Sequence, residues 1–176
     1  SSLVHLVLAS AMQRMPVESR SSLAAALVRN PRYANDRDLP MLVWFGLIPV
    51  ADVDPSALVE VAKASEWPSL VRWIARRIAS DCEKHPKALE SLLQVTANRA
   101  EPIREQLLKG MLEAFRGRQK ATQPSNWEDF IRGSTSKAFP EMVRELGTVF
   151  GNGRAMDEIR NLVKDNKADM KIRQRA

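Results

Sequence analysis

Residues 39–50, Leu-Pro-Met-Leu-Val-Trp-Phe-Gly-Leu-Ile-Pro-Val, contain no charged side chain. Wound into a helix, this stretch is apolar on every side, and it is too short to cross the roughly 30 Å hydrocarbon layer of a bilayer. The chain around it is therefore expected to sheathe it. Asp38 or a neighbour can cap its start, and Pro40 suits a first helical turn, where its missing N–H costs nothing. Pro49 ends or kinks the helix. No alternating strand pattern occurs elsewhere, so the whole chain reads as all-α.

The remaining helices follow from apolar spacing and from prolines at element starts. The spacing predicts helices over 3–15, with Leu3, Leu6, Val7, Ala11 and Met15 inward, and over 18–28, with Leu23, Ala26 and Leu27 inward. A polar link, 32–38, carries Tyr33. Asp54-Pro55 caps and opens the next helix, with Leu58, Val61 and Ala62 inward. Further helices are predicted over 70–82 (Leu70, Val71, Ile74, Ala75, Ile78 inward), 86–97 (Leu89, Leu92, Leu93) and 103–115 (Ile103, Leu107, Met111, Leu112, Phe115). The basic loop 116–124 is expected to be the most mobile stretch. A short helix, 127–132, capped by Ser125, comes next. A helix over 140–150, stopped by Gly151-Asn152-Gly153, is followed by helices over 154–164 and from Asp169 onward.

These helices repeat in pairs. An apolar–Arg dipeptide recurs at Val71-Arg72, Ile103-Arg104, Val143-Arg144 and Ile172-Arg173, at the roughly 30–40-residue period of two-helix solenoids. The uncharged helix and the helix over 3–15 hold the corresponding places before them. The expected architecture is one domain over 1–176: an α-solenoid of HEAT-like antiparallel helix pairs in a right-handed superhelix. The start at Ser1 is expected to be a cut inside a longer multidomain protein.

The ending Asp169-x-x-Ile172-Arg173-x-x-Ala176 resembles the first helix of a HEAT repeat. Residues 36–79 are more distinctive, with Asp-Leu-Pro-Met-Leu-Val-Trp-Phe and then Trp-Pro-Ser-Leu-Val-Arg-Trp-Ile-Ala-Arg-Arg. They resemble the HEAT-repeat segment of very large membrane-bound dehydrogenase proteins of planctomycetes and verrucomicrobia. In that family a sugar-dehydrogenase-like propeller lies upstream and a c-type haem domain downstream. The resemblance implies a periplasmic or membrane-associated location as part of a larger protein. This chain has no Cys-x-x-Cys-His, so haem and dehydrogenase chemistry would belong to flanking domains, and no cofactor is expected here.

No residue constellation suggests catalysis or metal binding. His5 and His85 are the only histidines and lack ligand partners at metal spacing. Asp54 is better used as a helix cap than as half of a carboxylate pair with Asp52. Ser21-Ser22 and Ser134 to Ser136 have no nearby histidine for a triad. Gly151-Asn-Gly153 is too short for a phosphate loop. The lone Cys82 is expected to be a partly buried thiol.

Charge has more functional reach. Residues 67–120 hold eleven Lys and Arg against six Asp and Glu, most of the chain's net +6. Arg72, Trp73, Arg76, Arg77 and Arg104 form the candidate interaction surface, with Arg116, Arg118 and Lys120 in the same third. Trp73 is placed for an indole–guanidinium contact with Arg76 or Arg77. Such a surface would be a solvated helix face neutralised by Asp81, Glu83, Glu101 and Glu105, a dock for an acidic protein, or a phosphate-binding groove.

The expected function is a non-catalytic interaction scaffold or interdomain spacer. The alternative is a HEAT-like nucleic-acid-binding protein, such as the alkylpurine DNA glycosylases built from these repeats. That reading needs Trp, Arg and a carboxylate converging in one cleft. Trp44, Trp67, Trp73 and Trp127 show no spacing that favours it. The expected partners are proteins, either flanking domains or an acidic protein. A monomer is expected, because Arg173 and Arg175 oppose burial of the last turn. Val163, Met170 and Ile172 would be bare at one end, and Leu3, Leu6 or Val7 at the other.

Overall fold

The computed structural model describes residues 2–132 and 139–151, and their regular structure is helical, without strands. The helices are α1 (Ser2–Met12), α2 (Val17–Leu27), α3 (Leu39–Leu47), α4 (Val50–Val53), α5 (Pro55–Ala64), α6 (Pro68–Ser80), α7 (Pro86–Thr96), α8 (Glu101–Phe115), α9 (Trp127–Ile131) and α10 (Phe139–Val149), with a 3-10 turn at Pro31–Tyr33. Proline opens α5, α6 and α7 at its first position, where the backbone donor has no helical partner to lose. The Asp54 carboxylate caps α5 by accepting from the Ser56 and Ala57 N–H groups at 2.9 and 3.3 Å. Asn152 and Gly153, the helices expected over 154–164 and from Asp169, and Ser134 to Ser136 lie outside the described residues.

Packing follows two series. In one, α1 lies on α3, α3 on α6, α6 on α8 and α8 on α10; in the other, α2 lies on α5, α5 on α7 and α7 on α9. The α6–α8 contact is the most extensive. It is made possible by Gly110, where a Cβ would stand 2.2 Å from the Arg72 carbonyl oxygen. The inner face of α6 is Leu70, Val71, Ile74, Ala75 and Ile78, as its spacing predicts, together with Ala79.

Four local expectations are corrected. The uncharged helix is not sheathed all round: Leu39, Val43 and Leu47 are buried, but Met41, Phe45 and Ile48 are exposed. Its neighbours α1, α2 and α6 cover only part of its circumference. Helix α1 turns Ala9 and Met12 inward, not the predicted stripe, and Leu3, Leu6 and Val7 are exposed. It stands first in its series, and Met12 fills the space over Gly46. On α2 the buried residues are Ala24 and Leu27, while Ala26 is exposed. Finally, Ser125 does not cap α9; its hydroxyl donates to Glu90 at 2.7 Å, and Asn126 takes the cap position.

The buried aromatic anchors are Trp67 and Trp127 rather than Trp44. Trp67 is fully buried at the start of α6. Its indole N–H donates to the Asn30 carbonyl at 2.8 Å, and its backbone N–H donates to the Ser65 hydroxyl at 3.1 Å. These two buried donors thus find partners, as burial requires. Trp127 packs on Phe130 and edge-on against Phe150. The basic loop, expected to be loose, is fastened: Ala121 is buried and its N–H donates to the Val149 carbonyl at 2.9 Å. Gly117 supplies the positive φ (80°) that starts the loop's turn after α8.

Candidate interaction surfaces

The arginines of the candidate surface divide by what their guanidinium groups meet. On α6, Arg72 pairs with Glu113 of α8. That hydrogen bond, with the nearby charges of Arg72, Arg76 and Arg116, holds the Glu113 carboxyl below its ordinary value. Arg77 pairs with Asp52 of α4 and, at 3.0 Å, with Asp81 one turn on. Arg76 is exposed. Trp73 is half-buried and meets Trp44 at a ring separation of 6.3 Å. The Arg–ring contacts among the described residues fall on Tyr33, Phe115, Phe130 and Phe139, so the expected indole–guanidinium pairing is replaced by indole on indole.

Arg104 is not on this surface. It is 4% exposed, its guanidinium lies 5.2 and 4.8 Å from the Phe130 and Phe139 rings, and it donates to the Phe130 carbonyl at 2.5 Å. The rings that enclose it come from α9 and α10, elements invisible to the local pattern that groups it with Arg72.

Arg104 belongs to a second set of arginines that close helix ends. The last carbonyls of a helix have no internal partner and carry the negative end of its dipole, so a guanidinium satisfies both. Arg20 donates to the Gln13 and Met15 carbonyls just beyond α1, both at 2.9 Å, and to Gly46 in the last turn of α3 at 3.2 Å. Arg99 donates to Lys63 and Ser65 at the end of α5, at 2.6 and 2.8 Å. Arg118 reaches Ser80, the last residue of α6, at 2.6 Å. Arg20 and Arg99 lie outside the candidate surface that the sequence marks. Arg99 reaches back more than thirty residues to α5, and Arg20 joins the nearby end of α1 to α3, 26 residues on, so no local motif marks either role.

Beside Arg72 and Glu113 lies a hollow of about 480 Å³, with Lys109, Arg116, Arg118 and Glu145 also at its wall. Its charge is mixed. Buried Cys82 has its thiol pushed up by burial, against the opposing pull of Arg118.

The second surface is apolar. The exposed large hydrophobic residues among the described ones, Leu3 to Leu8 on α1, Met41, Phe45 and Ile48 on or beside α3, and Val53, all fall within residues 3–53. A groove of about 660 Å³ runs between α1 and α3. Among the described residues no cluster of His, Cys, Asp and Glu is placed to hold a metal ion, and no helix is long and apolar enough to cross a membrane.

No protein-family model, curated protein or solved structure matches the chain.

Proposed function

We propose that the chain is a non-catalytic interaction module: a HEAT-like α-solenoid that presents faces to other protein surfaces. The alternating contact series supports this reading, since stacked two-helix repeats touch at every second helix. The apolar–Arg dipeptides of residues 71–72, 103–104 and 143–144 recur near the starts of α6, α8 and α10, successive members of one series. The resemblance of residues 36–79 to the HEAT-repeat segment of the planctomycete and verrucomicrobial dehydrogenase proteins points the same way, with any redox chemistry carried by other domains.

The observation that carries the choice of protein over nucleic acid is how the arginines are used. Arg72 and Arg77 pair with carboxylates, while Arg104, Arg99 and Arg20 are drawn onto helix carbonyls, so these five guanidinium groups are engaged within the fold rather than free to grip phosphates. Fluorescence anisotropy with labelled duplex DNA tests this. Weak or no binding is expected at physiological salt. Tight binding that falls steeply between about 50 and 200 mM salt, and disappears in Arg76→Glu/Arg116→Glu, would overturn the reading in favour of a phosphate-binding groove.

A further inference from the structure

We infer that the α1–α3 groove is a self-association surface, and that its occupant is the same groove of a second copy of this chain. The inference rests on the reading of the chain as an interaction module and names the partner. Four of the nine exposed apolar side chains, Leu6, Val7, Met41 and Phe45, line the groove and, at roughly 40–60% exposure, bare on the order of 400 Å² there. That is about half of the ~800 Å² each partner contributes to a standard-size interface, so the expected dimer is a weak one. Apart from Val53 on α4, the described helices beyond α1 and α3 carry no exposed large apolar residue, so this surface is a feature of one region.

Charge placement selects a second copy. Arg20 bonds carbonyls at the ends of both α1 and α3, so the two helices run parallel with their C-terminal ends together. Arg14 lies at that end of the groove, and Asp38 lies at the other, just before α3. Between them the walls are apolar, with Leu6, Val7, Met41 and Phe45. A groove that is positive at one end and negative at the other is complementary to itself under a twofold axis across it. One copy's Arg14 then meets the other's Asp38, and the reverse contact forms at the same time. The two α1 helices cross antiparallel, and Ser10 and Ala11, both exposed and small, let them approach. Asp38 is available for this. Its contact with Arg37 is a 3.9 Å surface pair, and Asp36 makes the local cap by accepting from the Asp38 and Leu39 N–H groups at 3.0 Å. The monomer expected from the sequence rests on Arg173 and Arg175, which lie outside the described residues; the groove argues for the opposite state.

Sedimentation velocity on the full chain, from about 1 to 100 µM, reads the equilibrium directly. A concentration-dependent dimer is expected. Val7→Glu and Phe45→Glu should make it monomeric without altering the thermal melt of the monomer, because both positions are exposed. Arg14→Asp and Asp38→Arg should each weaken association by about tenfold or more, and the two changes in one chain should restore it. A monomer at every concentration overturns the proposal, as does a dimer indifferent to all four substitutions. Neither outcome touches the DNA measurement, so failure here stays separate from failure of the module reading.

Discussion

Gly110 sets two effects of known size against each other. Alanine in a helix interior is favoured over glycine by about 1 kcal/mol, so on propensity alone Gly110→Ala would stabilise α8. The added methyl, however, would stand 2.2 Å from the Arg72 carbonyl oxygen, 2.9 Å from Ala75 Cβ and 3.0 Å from the Arg76 nitrogen. Two of these are backbone atoms of α6, which cannot rotate away, so the helices must part by about 1 Å. Overpacking of a rigid core contact costs about 1–3 kcal/mol, and a backbone clash belongs at the upper end. The net expectation is destabilisation by about 2 kcal/mol. For a chain of this size that lowers the melting temperature by about 4–8 °C. Gly46→Ala is the control. There the methyl meets the Met12 Cε at 2.2 Å, the free end of a flexible side chain, and the melt should stay within about 1 kcal/mol of wild type. Urea and thermal melts followed by circular dichroism decide. A Gly110→Ala protein as stable as wild type, or more so, would refute the close α6–α8 packing.

Trp67→Ala should cost about 3–5 kcal/mol by urea unfolding, and Trp44→Ala distinctly less, because Trp44 is only partly covered. Arg104→Lys should destabilise measurably, since an ammonium cannot lie flat between the Phe130 and Phe139 rings while bonding the α9 carbonyl; a melt equal to wild type would argue against its burial. Glu113 has a lowered folded pKa, so its contribution is present above the ordinary glutamate value of about 4.3 and is lost as pH falls through the lower folded value. Glu113→Gln should therefore flatten that part of the acid stability curve while leaving its neutral-pH shape. Cys82 should react with iodoacetamide more slowly than a free thiol at pH 8 and at the free-thiol rate in urea, because burial raises its pKa and blocks access.

What the sequence makes legible here is chemistry that acts over a few residues. Asp54, Pro55, Pro68 and Pro86 mark helix starts because capping and proline geometry are local, and the α6 inner face follows from its own spacing. Whether an apolar face finds a neighbour is a tertiary matter. Residues 39–50 read as a helix needing cover on all sides, yet Phe45 and Met41 stay bare because nothing described packs there. Arg72 and Arg104 follow buried apolar residues at similar helical places and look alike in the sequence. Their fates differ because Glu113 faces one and two phenyl rings enclose the other. Nothing next to Trp67 in the sequence marks it as buried; Asn30, far earlier in the chain, supplies the acceptor that lets its indole go inside.

The arginines at the helix ends have a mechanical consequence. Arg20 joins α2 to the ends of α1 and α3, Arg99 joins the segment before α8 to α5, Arg118 joins the segment after α8 to α6, and Arg104 joins α8 to α9. Apolar faces hold their register through the shape of interlocking side chains, as at Gly110 beneath α6, and not through directed bonds. A guanidinium fixed on one or two carbonyl oxygens adds directed bonds to that fit. Each of these arginines therefore acts as a dowel against shear, adding to the stiffness of the assembly along its surfaces.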